Sequence, residues 1–302
     1  MKISIIGCGR VGSTTAYALL LKGLAREIVL VDVDKDRAKG EELDLLHGSA
    51  EVANVKISSG DFSLISHSDF VIITAGIPRK PGETRLQLAA KNIDIIKEIA
   101  EKVLYYSPEA VILVVSNPVD IMTYVVQRVF GNERRVIGLG NVLDQLRFRS
   151  LLGKELNIHP QNIDAMIIGE HGDSMVILEN SITINGLPLS QYKTLDEGVM
   201  KDILHNTRYG GAQVIALKGG TYYAVAIAVC QVLEAIIFDT NKILPVSLVQ
   251  QFEGKEVPFS LPTVIGKTGV IRTIDLNLTP KQQQELANSV FAIHSMIKEL
   301  GI

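Results

Sequence analysis

The string Gly169-Glu170-His171-Gly172-Asp173-Ser174 sets one imidazole between two glycines, at the end of the apolar run 165–168. Strand ends that feed glycine-flanked turns are where α/β proteins carry working groups, and histidine is the side chain that titrates nearest neutrality. The chemistry this allows is general acid/base catalysis; the other reading is a histidine satisfied inside a packed turn. A second constellation is Gly7-Cys8-Gly9-Arg10-Val11-Gly12, with Asp32 twenty positions after its last glycine. The first glycine permits a tight turn, the second lets backbone approach a pyrophosphate, and the third allows close helix–strand packing, with the phosphates at the helix N-terminus. Asp32 can accept hydrogen bonds from ribose hydroxyls, and its charge, joined by Asp34, repels a 2′-phosphate, so NAD is expected rather than NADP. A third segment, Gly76 to Arg85, carries Arg79, Lys80 and Arg85 between prolines and glycines. It suits a loop that closes over an anionic ligand, or a solvated basic loop.

These residues need elements to place them. Buried-strand patterns at Lys2 to Ile6, Ile28 to Val31, Phe70 to Thr74, Val111 to Val115 and Val136 to Leu139 alternate with helical patterns at 11–22, 35–46, 84–105 and 118–129. That alternation is the signature of βαβ units and a parallel sheet covered on both faces. The glycine-rich turn then lies between the first strand and first helix, and the basic segment leaves the carboxyl end of a strand, the edge where open α/β sheets bind ligands. Beyond residue 142 the pattern becomes a helix at 142–157, short β segments at 164–186, helices at 194–217 and 221–238, β segments at 242–275 and a helix at 280–300. Gly266-Lys267-Thr268-Gly269 is a hairpin signal within the last β region. The expectation is a Rossmann-type doubly wound parallel sheet over 1–142, followed by an α+β substrate-binding and catalytic domain over 143–302.

Composition narrows the function. At 302 residues, a net charge near −3 without a lysine or arginine block leaves no electrostatic footprint for nucleic acid. The 47% hydrophobic and 21% charged content excludes a disordered or fibrous chain. Cys8 and Cys230 make neither a disulfide framework nor paired zinc spacing, so no metal site is expected and a reducing compartment is. The apolar stretch Tyr222 to Phe238 is interrupted by Gln231 and Glu234 and reads as a buried helix, not a membrane span. A soluble cytoplasmic protein is expected, with no membrane partner. His47, His67, His159, His205 and His294 lie in polar segments and receive no chemistry.

Four motifs, in order, resemble those of the NAD-dependent lactate/malate dehydrogenases: Ala75-Gly76 through Pro81-Gly82-Glu83-Thr84-Arg85, Ser116-Asn117-Pro118-Val119-Asp120, Leu143-Asp144-Gln145-Leu146-Arg147-Phe148-Arg149, and the His171 string. The resemblance runs from Met1 to the last helix. It implies that His171 exchanges a proton with the substrate C2 oxygen as hydride passes between C2 and the nicotinamide, and that Asp144 fixes and stabilises the imidazole. It implies that Arg147 grips the C1 carboxylate with its two-pronged guanidinium, a task lysine cannot share. Spacing alone reads Asp144 and Arg147 as an i,i+3 helix salt bridge. Arg85 is implied to polarise the reacting carbonyl. Asn117 is implied to touch substrate and nicotinamide, Val115, Ser116 and Asn92 to contact cofactor, and Thr221 to line the substrate pocket; Asn92 also reads as a helix-surface residue and Thr221 as a helix N-cap. The cofactor set is completed by Gly7, Cys8, Gly9, Arg10, Val11, Gly12 and Asp32. A homo-oligomer is implied, a homotetramer with a dimer as the alternative.

Arg79 separates the substrate classes, because lactate-type members of the resembled family carry glutamine there and malate-type members arginine. A loop arginine offers a second carboxylate charge-assisted hydrogen bonds of roughly 1.5 to 3 kcal/mol each. Enclosed against pyruvate it would lack its partner, at a cost of about 3 to 5 kcal/mol. Lys218-Gly219-Gly220-Thr221-Tyr222-Tyr223 looks more like the lactate-type pocket, and Gly140-Asn141-Val142-Leu143-Asp144 resembles deep-branching malate-type members. A whole ion pair outweighs a methyl or hydroxyl contact, so the expectation is malate and oxaloacetate, with L-lactate dehydrogenase as the alternative. An NAD-dependent glycosidase is a remote alternative, disfavoured because neither cysteine is placed to hold its metal.

Overall fold

The computed structural model describes the chain except residues 53, 78–83 and 132–134. Arg79 therefore lies outside the described residues. The first half alternates strand and helix: β1 (Lys2–Ile6), α1 (Arg10–Lys22), β2 (Glu27–Val31), α2 (Lys35–Ser49), β3 (Lys56–Gly60), β4 (Phe70–Ile73), α3 (Arg85–Tyr106), β5 (Val111–Val114), α4 (Val119–Phe130) and β6 (Val136–Gly138). Then come α5 (Val142–Leu156) and five two-residue strands, β7 (Ile163–Asp164), β8 (Ile167–Ile168), β9 (Val176–Ile177), β10 (Thr183–Ile184) and β11 (Leu187–Pro188). The chain closes with α6 (Leu189–Tyr192), α7 (Glu197–Lys218), α8 (Tyr223–Ile237), β12 (Lys242–Phe252), β13 (Lys255–Gly266), β14 (Gly269–Thr273) and α9 (Pro280–Leu300).

Among the described residues, nine strands form one sheet in the order β14-β13-β12-β6-β5-β4-β1-β2-β3. From β3 to β6 every pairing is parallel, and the strand order reverses between β1 and β4. This is the doubly wound Rossmann arrangement, whose ligand crevice lies at that reversal, outside the carboxyl ends of the strands. Ile3, Ile5, Ile28, Leu30, Ile72 and Ile73 are fully buried because helices cover both faces; each such side chain contributes about 1.5 to 3 kcal/mol. One apolar cluster joins the sheet to α1, α5 and α8, and a second joins its other face to α3, α4 and α9.

Two findings depart from the sequence expectation. β3 was not foreseen, since its polar sequence KISSG carries no buried-strand signal. The late β segments do not stand apart from the first half: β12 pairs antiparallel with β6 at Ser247 and Gly138, so the sheet crosses residue 142. The foreseen hairpin closes with Gly266 opposite Gly269. α4 begins at Val119, one position after the expected start, with Pro118 at its N-cap, and the Asn117–Pro118 peptide bond is cis. No helix among the described residues is long and apolar enough to cross a membrane.

Candidate active site

β8 delivers the chain to Gly169, which takes φ +84° and would meet Ser289 if it carried a Cβ. Three successive main-chain amides are then tied down. Gly169 N donates to Ser260 O of β13 at 2.9 Å, Glu170 N to Ser289 Oγ of α9 at 2.8 Å, and His171 N to Asp120 Oδ2 of α4 at 2.8 Å. The ring is fixed as well, because His171 Nδ1 meets Asp144 Oδ2 at 2.5 Å. An ionised Asp144 is an acceptor only, so Nδ1 carries the proton and Nε2 is the nitrogen available for exchange. Burial opposes charge on the imidazole, but the Asp144 carboxylate and its hydrogen bond, with Asp120 behind them, outweigh it and raise the His171 pKa. Burial likewise works against ionised Asp144, yet His171 and Arg147 hold its pKa below the ordinary carboxylate value.

Asp144 stands in the first turn of α5, where the helix N-terminus favours a negative charge, and its side chain is fully buried. One turn on, Arg147 Nη1 donates to Asp144 Oδ1 at 2.8 Å. The guanidinium lies against α7 where that helix has no side chains: a Cβ at Gly211 would come within 3.1 Å of Arg147 Nη2. Only one prong is spent on Asp144, so the rest of the fork remains for a carboxylate.

Arg85 opens α3 behind a capping box formed by Thr84 and Gln87. Its Nη1 donates to Glu170 Oε1 at 2.8 Å and His171 O at 3.2 Å, and its Nη2 to Asp173 Oδ1 at 3.0 Å. Gly172 makes room for this, since a Cβ there would overlap the Arg85 guanidinium. The structure thus brings Arg85 to the histidine loop through two carboxylates. Asn92 is buried, not on the helix surface, and its amide is spent on main chain: Oδ1 accepts from Ile77 N at 2.8 Å while Nδ2 donates to Asn117 O at 3.1 Å. Asn117 is exposed at the end of β5. Thr221 precedes α8 half-buried, but the cap position belongs to Tyr222 and no side chain caps that helix, so the N-cap reading of Thr221 is corrected.

The glycine-rich turn fits a dinucleotide. Gly7 has φ +99°, a Cβ on Gly12 would strike the Gly7 carbonyl, and Gly9 faces open space. Gly9 is the N-cap of α1 and supplies no side-chain cap, which leaves the first-turn amides for a phosphate. Asp32 is oriented by Cys8 N on Oδ2 at 2.5 Å and Asp34 N on Oδ1 at 2.9 Å. Burial, with Asp32 and Glu41 adding to it, pushes the Cys8 thiol up to about 12, so it is no nucleophile. Val115 is buried, and Ser116 Oγ donates to Ile73 O and Ala75 O. Arg10 reaches away from the turn, Nη1 donating to Lys218 O at 3.2 Å, which joins the turn to the segment before Thr221. If Asp32 holds the ribose as its placement suggests, Asp32→Ser is expected to remove a charge-assisted bond and the repulsion of a 2′-phosphate. The NADH to NADPH preference, read as a ratio of kcat/KM, is expected to fall roughly ten- to hundredfold. An unchanged ratio would remove Asp32 from the ribose.

Sequence reasoning assigned no role to Asp120, Glu170, Gly211, Ser247 or Ser289. Asp120 and Glu170 stood inside quoted motifs; the others carry no short-range signal.

The comparisons with known proteins agree with this geometry. Residues 1–138 match the family model described as lactate/malate dehydrogenase, NAD binding domain, and residues 141–300 the model of the lactate/malate dehydrogenase alpha/beta C-terminal domain. The chain is 44% identical over 309 residues to the L-lactate dehydrogenase of a Thermoanaerobacter strain, covering 100% of this chain and 99% of that protein. It is 45% identical over 296 residues to L-lactate dehydrogenase 1 of Clostridium acetobutylicum, 95% of each being covered. A crystal structure of a lactate dehydrogenase from a Medee basin deep-sea metagenome superposes with a TM-score of 0.95 at 32% identity, covering 100% of this chain and 99% of that one. The ligand-bound minor L-lactate dehydrogenase of Enterococcus mundtii gives 0.93 at 34%, with 99% and 98% covered.

Proposed function

The chain belongs to the lactate/malate dehydrogenase family, and from that premise we propose that it interconverts a 2-hydroxy acid and its 2-oxo acid with NAD, the pair being L-lactate and pyruvate. The observation that carries the choice of pair is the full-length similarity to proteins named L-lactate dehydrogenase. Those relatives favour lactate over the malate expected from the sequence. Malate and oxaloacetate remain the second reading because one residue, Arg79, supplies a cation suited to a second carboxylate.

NAD, when bound, supplies or takes up the hydride at C2. In the reducing direction protonated His171 gives its Nε2 proton to the C2 oxygen, and Asp144 stabilises the imidazolium beforehand. Arg147 holds the C1 carboxylate with the part of its fork that Asp144 leaves free. Arg85 brings a cation to the same loop, where it stabilises charge on the reacting oxygen. In the oxidising direction neutral His171 takes the hydroxyl proton.

Initial rates of NADH consumption with pyruvate and with oxaloacetate test the choice, and the larger kcat/KM is expected with pyruvate. A larger value with oxaloacetate would overturn it for the second reading. In either case Arg79→Gln is expected to move the pyruvate to oxaloacetate ratio towards pyruvate by roughly a hundredfold. A ratio unmoved by that substitution would place Arg79 outside the pocket. Assembly into a homotetramer belongs to the same proposal, supported by exposed Tyr17 and Leu21 on α1 and Tyr223 and Ile227 on the neighbouring α8. A monomer or a dimer in sedimentation velocity would overturn it.

A further inference from the structure

We propose that Asp120 is a positioning residue for His171, holding its main chain and setting a second carboxylate behind the ring, an inference that rests on the dehydrogenase reading. Asp120 lies in the first turn of α4 and is only 4% exposed. Its Oδ2 accepts from His171 N at 2.8 Å and its Oδ1 from Ser247 Oγ of β12 at 2.6 Å. Both oxygens are therefore committed, and among the described residues no lysine or arginine forms an ion pair with it.

As a structural tie, an asparagine would serve equally. Its carbonyl could accept from His171 N, and its amide could donate to a Ser247 hydroxyl turned the other way. The carboxylate is the more costly choice. Burial pushes the Asp120 carboxyl up to about 6, against the hydrogen bonds from Ser247 and His171 N and the attraction of the His171 ring, with Glu170 adding to the rise. A carboxyl whose pKa is raised on folding stabilises the protein as pH falls below about 6, and its ionised form weakens the fold above that. The N-terminus of α4 offsets part of this cost.

What the charge acts on is settled by its surroundings. The charged groups near His171 are Asp144 and Arg147 from α5, Arg85 from α3, Glu170 and Asp173 on its own loop, and Asp120. Among the described residues, β12 and α9 contribute the hydroxyls of Ser247 and Ser289 to this network and no charged group paired with it. Asp144 and Asp120 thus bracket the histidine, one at the ring nitrogen and one at the main-chain nitrogen. The second carboxylate extends the pH range over which the ring stays protonated for carbonyl reduction.

The test is Asp120→Asn, read by an NMR titration of the His171 ring in the free protein and by the pH profile of kcat/KM for pyruvate. The His171 pKa is expected to fall by about one unit, and the alkaline limb of the profile to move down with it. The melting temperature at pH 8 is expected to hold or rise. An unmoved ring titration, whatever happens to the melting temperature, overturns the proposal and leaves Asp120 a structural tie. Should the asparagine variant fail to fold, Ser247→Ala keeps the carboxylate and removes one donor to it. The inflection that Asp120 imposes on the His171 resonance near pH 6 is then expected at higher pH, and absence of any such inflection is equally fatal. Because the ring titration needs no substrate, it stands apart from the dehydrogenase reading. That reading fails separately if the wild-type protein consumes NADH with neither 2-oxo acid.

Discussion

His171→Asn is expected to bind NADH nearly as the wild type does and to turn over roughly a hundredfold to ten-thousandfold more slowly. Asparagine preserves polarity and approximate size, and its amide can still donate to Asp144. What it lacks is a proton that leaves and returns near neutral pH. Fluorescence titration of NADH reads the first half of the statement and steady-state turnover the second; wild-type turnover in the variant would return His171 to a structural role. The pH dependence carries its own sign. The His171 pKa is raised, because Asp144 overcomes the burial that would lower it. On the proposed mechanism the imidazolium persists above the usual histidine range, and pyruvate reduction is expected to decline as pH rises through the raised value. Lactate oxidation, which on that mechanism needs the neutral ring, is expected to decline as pH falls through the same value. Both limbs should disappear in the asparagine variant.

Arg147→Lys is expected to lower kcat/KM by roughly two to three orders of magnitude for pyruvate and oxaloacetate alike, most of it in KM. The charge is kept, so a loss of this size measures geometry. A guanidinium can give one prong to Asp144, as seen at 2.8 Å, and still present parallel donors to a carboxylate. An ammonium offers no planar fork, and the bare backbone at Gly211 against which the guanidinium lies has no side chain to steady a thinner group. Equal sensitivity of the two substrates is the discriminating result, since both carry the C1 carboxylate. A loss confined to one of them would assign Arg147 to the variable end of the substrate.

How much of this was legible in the sequence follows the range of the interactions. The turn Gly7 to Gly12 and Asp32 could be read because each residue's role is set by neighbours within one strand and one helix. Asp144 and Arg147 could be paired because helical spacing places them on one face. β3 could not, since an edge strand of sequence KISSG carries too few apolar residues to mark a core face. Nor could the junction of β12 with β6, which rests on one residue pair, Ser247 and Gly138, and leaves no periodic trace. Arg85 was legible as a working cation but its partners Glu170 and Asp173 were not, because an ion pair between distant segments has no sequence spacing. The same holds for Asp120, Ser247 and Ser289. The lactate-versus-malate choice turned on Arg79 in the sequence, while the full-length relatives point to lactate.

The three amides of Gly169, Glu170 and His171 end on β13, α9 and α4, and α4 belongs to the opposite half of the chain from the other two. A hinge that opened one half from the other would strip at least one buried donor of its acceptor, at about 1 to 3 kcal/mol. Opening one half from the other at this point is thus disfavoured by that amount, and movement that accompanies ligand entry is expected in segments that do not carry the histidine. The entropy of immobilising the proton donor is lost during folding, before any substrate arrives. On the proposed reaction, each turnover would begin with His171 already held by β13, α9 and α4, leaving the ligands and the side chains that meet them to be ordered.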